Sequence, residues 1–203
     1  MCDDREKLID MFSSTHLGDS LKELSLIYDD VERDTEEFCE EYSIHCTLGC
    51  GECCENFMPD ITPAEANMIA SYLIFIRKDM SLIEKVKKKT SIHCPLYDSN
   101  NPYHCQVYPV RPLVCRLFGQ CASKMKDGKK IFRRCRFSGG CLMPERLEID
   151  SSEIKTMDEY GLRLQALESG DVSDLDDGVC NALEEVGLIS GFLGLDSKTP
   201  SAS

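Results

Sequence analysis

Tryptophan is absent from the 203 residues, and Phe and Tyr together number only fifteen. With so few large side chains to bury, the centre of the protein is expected to need another source of cohesion, and bound metal is one. No apolar run reaches the roughly 18 residues of a membrane span. The first ten residues, MCDDREKLID, are acidic and carry no apolar stretch, so no export signal is expected and the cysteines should stay reduced in a cytoplasm. No Gly-x-Gly-x-x-Gly, P-loop or Ser-His-Asp set appears, which removes dinucleotide, nucleoside triphosphate and triad hydrolase chemistry. There is no alternation of strand and helix patterns that would build a parallel sheet.

What the chain does have is charge in blocks. Residues 1–43 hold 4 basic and 14 acidic side chains, residues 44–143 hold 15 and 8, and residues 144–203 hold 4 and 14. A basic middle therefore sits between two acidic flanks, within a net charge of −13. These blocks predict three parts: an acidic helical extension over 1–43, a Cys-rich metal-binding domain over 44–143, and a second acidic helical extension over 144–203 with a frayed tail from 196. Such an acidic protein would be repelled by phosphate, so nucleic acid is not an expected partner. The acidic helices could meet a protein partner.

The flanks read as helices. Leu21, Leu24, Tyr28, Val31, Thr35, Phe38 and Tyr42 recur at spacings of three and four, predicting one amphipathic helix over 20–43 capped by Asp19 or Ser20. Thr62, Pro63 and Glu65 form a capping box for a helix over 63–78, and Ser81 with Glu84 predicts a second, short basic one ending near 89. Helices are also expected over about 150–170 and 173–185. Between 91 and 141 neither helical nor strand periodicity persists, apart from a short hairpin over 123–133 turning at Lys126, Asp127 and Gly128. The fold class is thus mainly α, with amphipathic helices around an irregular Cys-rich core.

Thirteen cysteines are present, ten of them between 46 and 141. Residues 46–54 read CTLGCGECC, four thiols in nine residues with glycines that let the backbone curl. Ten thiols are more than one tetrahedral site of four can use. Adjacent Cys53 and Cys54 would point to opposite sides of an extended segment, so one of them is expected to serve a second centre, a second iron of a cluster, or a structural contact. Cys50 and Cys53 form a Cys-x2-Cys knuckle that suits zinc, but the second knuckle of a zinc ribbon is missing. Cys46, Cys50 and Cys53 also have the spacing of the radical S-adenosylmethionine loop, although that loop usually has an aromatic residue where Glu52 stands. His45, His93 and His104 each precede a cysteine; thiolate-only coordination is expected nonetheless. Arg111 and Arg116 bracket Cys115, either as surface ion pairs or as donors to thiolate sulfur. Cys2, Cys39 and Cys180 lie in the acidic flanks and are not expected to be ligands.

CTLGCGECC, then CPLY, then CQVYPVRPLVCRLFGQC, resembles the bacterial YkgJ-like family, the CxxCxxCC zinc- or iron-chelating proteins, over residues 46–121. By position the resemblance implies Cys46, Cys50, Cys53, Cys54, Cys94, Cys105, Cys115 and Cys121 as the metal cysteines. Cys135 and Cys141 lie outside that pattern. Flagellin lysine methylases look like relatives, which would imply a side-chain-modifying enzyme using a cluster and S-adenosylmethionine. A structural zinc protein is the other alternative. The nearly pure thiolate set and its spacing favour a metal-binding protein with an iron–sulfur cluster, such as a 4Fe-4S centre, over zinc, in a redox or metal-handling role.

Overall fold

The computed structural model describes residues 2–45, 50–89, 93–136, 144–167 and 170–195. Helix α1 (Cys2–Met11) turns back onto α2 (His16–Glu41), the long helix read from the spaced apolar residues. It starts earlier than the sequence suggests because Thr15 is the cap and accepts the Gly18 N–H at 3.2 Å. Gly18 allows the crossing: a side chain there would lie 2.1 Å from the Phe12 carbonyl oxygen. The stripe Leu21, Leu24, Tyr28, Val31, Thr35 and Phe38 is buried, while Tyr42 lies just past the helix end.

A short helix α3 (Glu52–Asn56) and strand β1 (Asp60–Ile61) lead to α4 (Pro63–Ser71), where the capping box of Thr62 and Glu65 is formed. The helix goes on as a π-helical turn over Tyr72–Arg77 and stops at Lys78 in a left-handed conformation. Helix α5 (Met80–Lys87) is capped by Asp79, not by Ser81. The Asp79 carboxylate accepts the Leu82 N–H at 3.1 Å and the Ser81 hydroxyl at 2.7 Å, so the longer-reaching acid takes the capping role. A 3-10 turn (Tyr108–Val110) and α6 (Leu113–Leu117) punctuate the irregular stretch. Then come β2 (Ser123–Lys124), β3 (Lys130–Arg133), β4 (Arg146–Ile149), α7 (Met157–Gln165), β5 (Ser173–Asp174) and α8 (Leu175–Leu193).

The expected hairpin is β2 with β3, and β4 adds a third antiparallel strand. The expected helix near 150 begins only at Met157, under a capping box of Thr156 and Glu159. The preceding Arg146–Ile149 pairs with β3 instead, a tertiary choice that four residues of local pattern could not reveal. Helix α8 runs eight residues beyond the expected end at 185, because the cap is Gly194 in a left-handed turn. The predicted tail at 196–203 lies outside the described residues.

One apolar core joins α1, α2, α4, α5 and α8, with α8 lying along α4. A smaller core of Phe38, Ile44, Ala122, Phe132 and Ile149 fills the space under the three-stranded sheet. Each fully buried Leu, Ile or Phe contributes roughly 1.5–3 kcal/mol, so this frame has a large apolar basis of its own. Two buried polar side chains, Glu65 and Arg116, help to fasten the Cys-rich stretch to it. The buried Glu65 carboxylate accepts both the Thr62 N–H (2.9 Å) and the Leu113 N–H (2.6 Å), which begins α6. Burial pushes the Glu65 carboxyl up, and the bonds from Thr62, Leu113 and Tyr28 oppose that shift. Arg116, 2% exposed, donates to the Arg111 carbonyl (2.8 Å), the Pro109 carbonyl (2.9 Å) and Glu32, and its guanidinium lies 3.9 Å over the Tyr28 ring.

Arg116 thus ties the loop before α6 to α2. Replacing it by Met would leave two part-buried carbonyls without this donor and leave Glu32 paired with Arg5 alone, at 3.6 Å. Chemical denaturation of R116M should show a loss of about 3 kcal/mol. A loss under about 1 kcal/mol would mean the loop is held by other contacts.

Candidate metal centre

Six of the eight cysteines the sequence nominates, Cys50, Cys53, Cys54, Cys94, Cys105 and Cys115, line one cavity of about 130 Å³. Cys135 lines it too. Cys46 lies outside the described residues, as does Cys141. Cys121 is placed elsewhere: its thiol faces the Ala122 carbonyl (3.4 Å) and the Lys155 carbonyl (3.8 Å). Cys39 packs against the small core and Cys180 against the main one, away from this cavity.

The convergence has local causes. Gly51 precedes α3 in a left-handed conformation, φ +67, and a side chain on it would sit 2.4 Å from Cβ of His104. Only glycine fits there on both counts. Because Glu52–Asn56 is helical, Cys53 and Cys54 are about 100° apart around the axis and both face the cavity. The sequence argument that adjacent thiols diverge assumed an extended segment and does not hold here. The loop between Cys94 and Cys105 doubles back through a bridge between Tyr97 and Cys105 and a bond from the Gln106 N–H to the Leu96 carbonyl (3.0 Å). The turn at its tip, residues 98–102, closes on Asp98, whose carboxylate accepts the Asn100 N–H at 2.9 Å. Cys115 comes from α6, positioned by Glu65 and Arg116 as described above.

The two arginines differ. Arg111 lines the cavity, and its guanidinium packs 4.2 Å over the Tyr108 ring. Its Nε is buried with no hydrogen-bond partner among the described residues. A buried unpaired donor costs about 1–3 kcal/mol, which an anionic group in the cavity would recover. Arg116 points at α2 and serves the frame. Tyr103, stacked on Tyr108 at 4.3 Å, stands at the mouth. His45 and His93 are exposed, and His104 stacks on Tyr97.

Burial sets the protonation of the metal-free thiols. It pushes Cys94 up to about 12 and raises Cys105 and Cys115 as well. Cys53 goes the other way, lowered to about 6, first because it accepts the Cys54 S–H and in smaller part because the Arg111 charge favours its thiolate. Cys54 is raised as the donor of that bond. The pair shares one proton. Among the described residues no three thiols all lie within 4.8 Å of one another. Thiolates sharing one tetrahedral zinc at about 2.3 Å would be about 3.8 Å apart, whereas thiolates on separate irons of a cluster stand further from each other.

The chemistry of this donor set is that of a soft metal centre: cysteine sulfur, a largely apolar lining and the part-buried Arg111. Residues 45–136 match the CxxCxxCC family, described as "Putative zinc- or iron-chelating domain". The match makes this segment similar to that family over somewhat less than half of the chain. The matched segment departs from the family's namesake pattern in having three residues, not two, between Cys46 and Cys50. It runs one residue past Cys135, further than the resemblance at 46–121, so every cavity cysteine falls within it. No curated protein and no solved structure matches the chain. The sequence leaves the role of Cys135 open because no fixed spacing links a residue at the end of a hairpin to thiols far earlier in the chain.

The raised thiols give the metal-free protein a defined pH response. For Cys94 the folded value of about 12 lies above the ordinary 9.0, so the unfolded chain loses its proton first. The contribution is fully present below pH 9 and is lost as pH rises toward 12; Cys105 and Cys115 act in the same direction. Metal-bound thiolates have already shed their protons, so the loaded protein lacks this loss. Denaturant midpoints from pH 8 to 11 should fall more steeply without metal than with it. Parallel curves would contradict the assignment.

Proposed function

We propose that the cavity holds an iron–sulfur cluster and that the protein works in redox or metal handling. The ligands are drawn from Cys50, Cys53, Cys54, Cys94, Cys105 and Cys115, with Cys46 completing the first arm. The observation that carries this reading is the gathering of six of the nominated cysteines on one cavity whose lining includes no histidine. Imidazoles stay outside the set, which fits soft cluster irons. A bound cluster supplies one-electron redox chemistry.

The chain's own groups suit that load. Arg111 offsets the charge of several thiolates, and its unpaired Nε supplies a donor that sulfur can accept. Leu96, Val107 and Phe118 line the cavity and limit water, while Tyr103 and Tyr108 flank the opening. The deprotonations needed for binding begin at Cys53, whose thiolate is favoured before any metal arrives.

Protein purified without oxygen should be brown, with iron and acid-labile sulfide in equal amounts. C50S should bleach it and C180S should not. A colourless anaerobic preparation carrying stoichiometric zinc would overturn the cluster and leave a structural zinc domain.

A further inference from the structure

We propose that the groove between the start of α2, the middle of α4 and the end of α8 docks an extended apolar peptide segment of another protein, one that carries Lys or Arg beside its apolar side chains. The groove has a volume of about 750 Å³ and shares no lining residue with the thiol cavity, so the inference does not depend on the metal. Its size falls within the range of about 300–1,000 Å³ common for ligand sites.

Three observations carry it. The first is Asn67, which lines the groove from α4. It is 4% exposed, and its Oδ1 is buried with no hydrogen-bond partner among the described residues. A buried acceptor left unpaired is destabilising, and Leu would fill the same space without that penalty; an N–H from a ligand removes it. The second is the wall. Leu17, Leu167 and Ile189 line the groove, and Phe192 stands 91% exposed at its edge. Glu185, Ile189 and Phe192 are spaced by four and three, so they share one face of α8. An aromatic ring left in water that continues an apolar wall marks a contact surface. The third is charge. Glu185 is the one carboxylate of the lining, and no Lys or Arg joins it there. Residues 144–203, which include α8, hold 14 acidic and 4 basic side chains, so a cationic partner is favoured.

These features sort the ligand classes. A side-chain amide offers an acceptor and donors on one plane, and an extended peptide presents both N–H and C=O groups to it. An acyl chain has no N–H for Oδ1. A phosphate or carboxylate has none either, and it would meet Glu185 as a like charge. A peptide pairs its backbone with Asn67, lays apolar side chains on Ile189 and Phe192, and brings its cation to Glu185.

The test uses the full-length protein and pools of fluorescent hexapeptides, each pool with two adjacent positions fixed and the others randomised, read by anisotropy. Pools with Lys or Arg fixed beside Leu, Ile or Phe should bind about tenfold more tightly than pools with Glu in place of the cation, and E185K should reverse that order. N67L should bind the preferred pool about tenfold more weakly, yet its denaturant midpoint without peptide should equal or exceed that of wild type. A lower midpoint for N67L would show that the amide is already used within the fold and would overturn the inference with no peptide involved. Pools that bind alike whatever their fixed residues, or that do not bind, would also overturn it, as would unchanged affinity in N67L. Dimerisation of wild type that F192D abolishes would assign the groove to a second copy instead. A gain of about tenfold in peptide affinity on deleting residues 196–203 would assign it to the chain's own end.

Discussion

Thiols are gathered here in a space where most of them resist ionising, Cys53 excepted. Bringing Cys94, Cys105 and Cys115 out of water raises each of them, and the negative charge of any one penalises its neighbours. A group of this kind is stable either protonated or bound to a cation. Everything around it serves to keep the thiols there in spite of that cost. The apolar frame of α1, α2, α4 and α8 supplies the cohesion, and Glu65 and Arg116 transmit it to the loop that carries Cys115. Gly51 and the bridge at Tyr97 bring in the other two arms.

This division of labour explains why Glu65 is buried at all. Its first duty is to close the capping box of α4 by accepting the N–H of Thr62, the N-cap. Its second is the Leu113 N–H, 48 residues away, at the start of the Cys115 helix. One carboxylate therefore aligns an element of the frame with an element of the site. Arg116 does the same from the other side, between α2 and the Pro109 and Arg111 carbonyls. Arg111, freed from that task, is the cation left facing the thiols. A pair of arginines flanking one cysteine has been split into a structural member and a site member.

Much of this could be read from the sequence, and the failures share a cause. The capping box at Thr62, the amphipathic α2 and the turn of the hairpin are local patterns, and local patterns were legible. The thiol-rich segments were legible as metal-ligating chemistry because few other roles use reduced cysteine at such density. What escaped depended on distant chain segments meeting. Strand β4 exists because β3 is beside it. Cys53 and Cys54 share a cavity because their segment is helical, which five residues do not announce. Cys121 and Cys135 differ in direction because of the fold of the hairpin, and spacing cannot express that.

The central proposal is that the gathered thiols hold an iron–sulfur cluster rather than a single zinc ion. X-ray absorption at the metal edge of anaerobically purified protein addresses it directly. The account predicts an iron edge, a first shell of sulfur without nitrogen, and a metal–metal scattering shell just beyond it. A zinc edge with a single shell of four sulfurs and no metal–metal shell would contradict it.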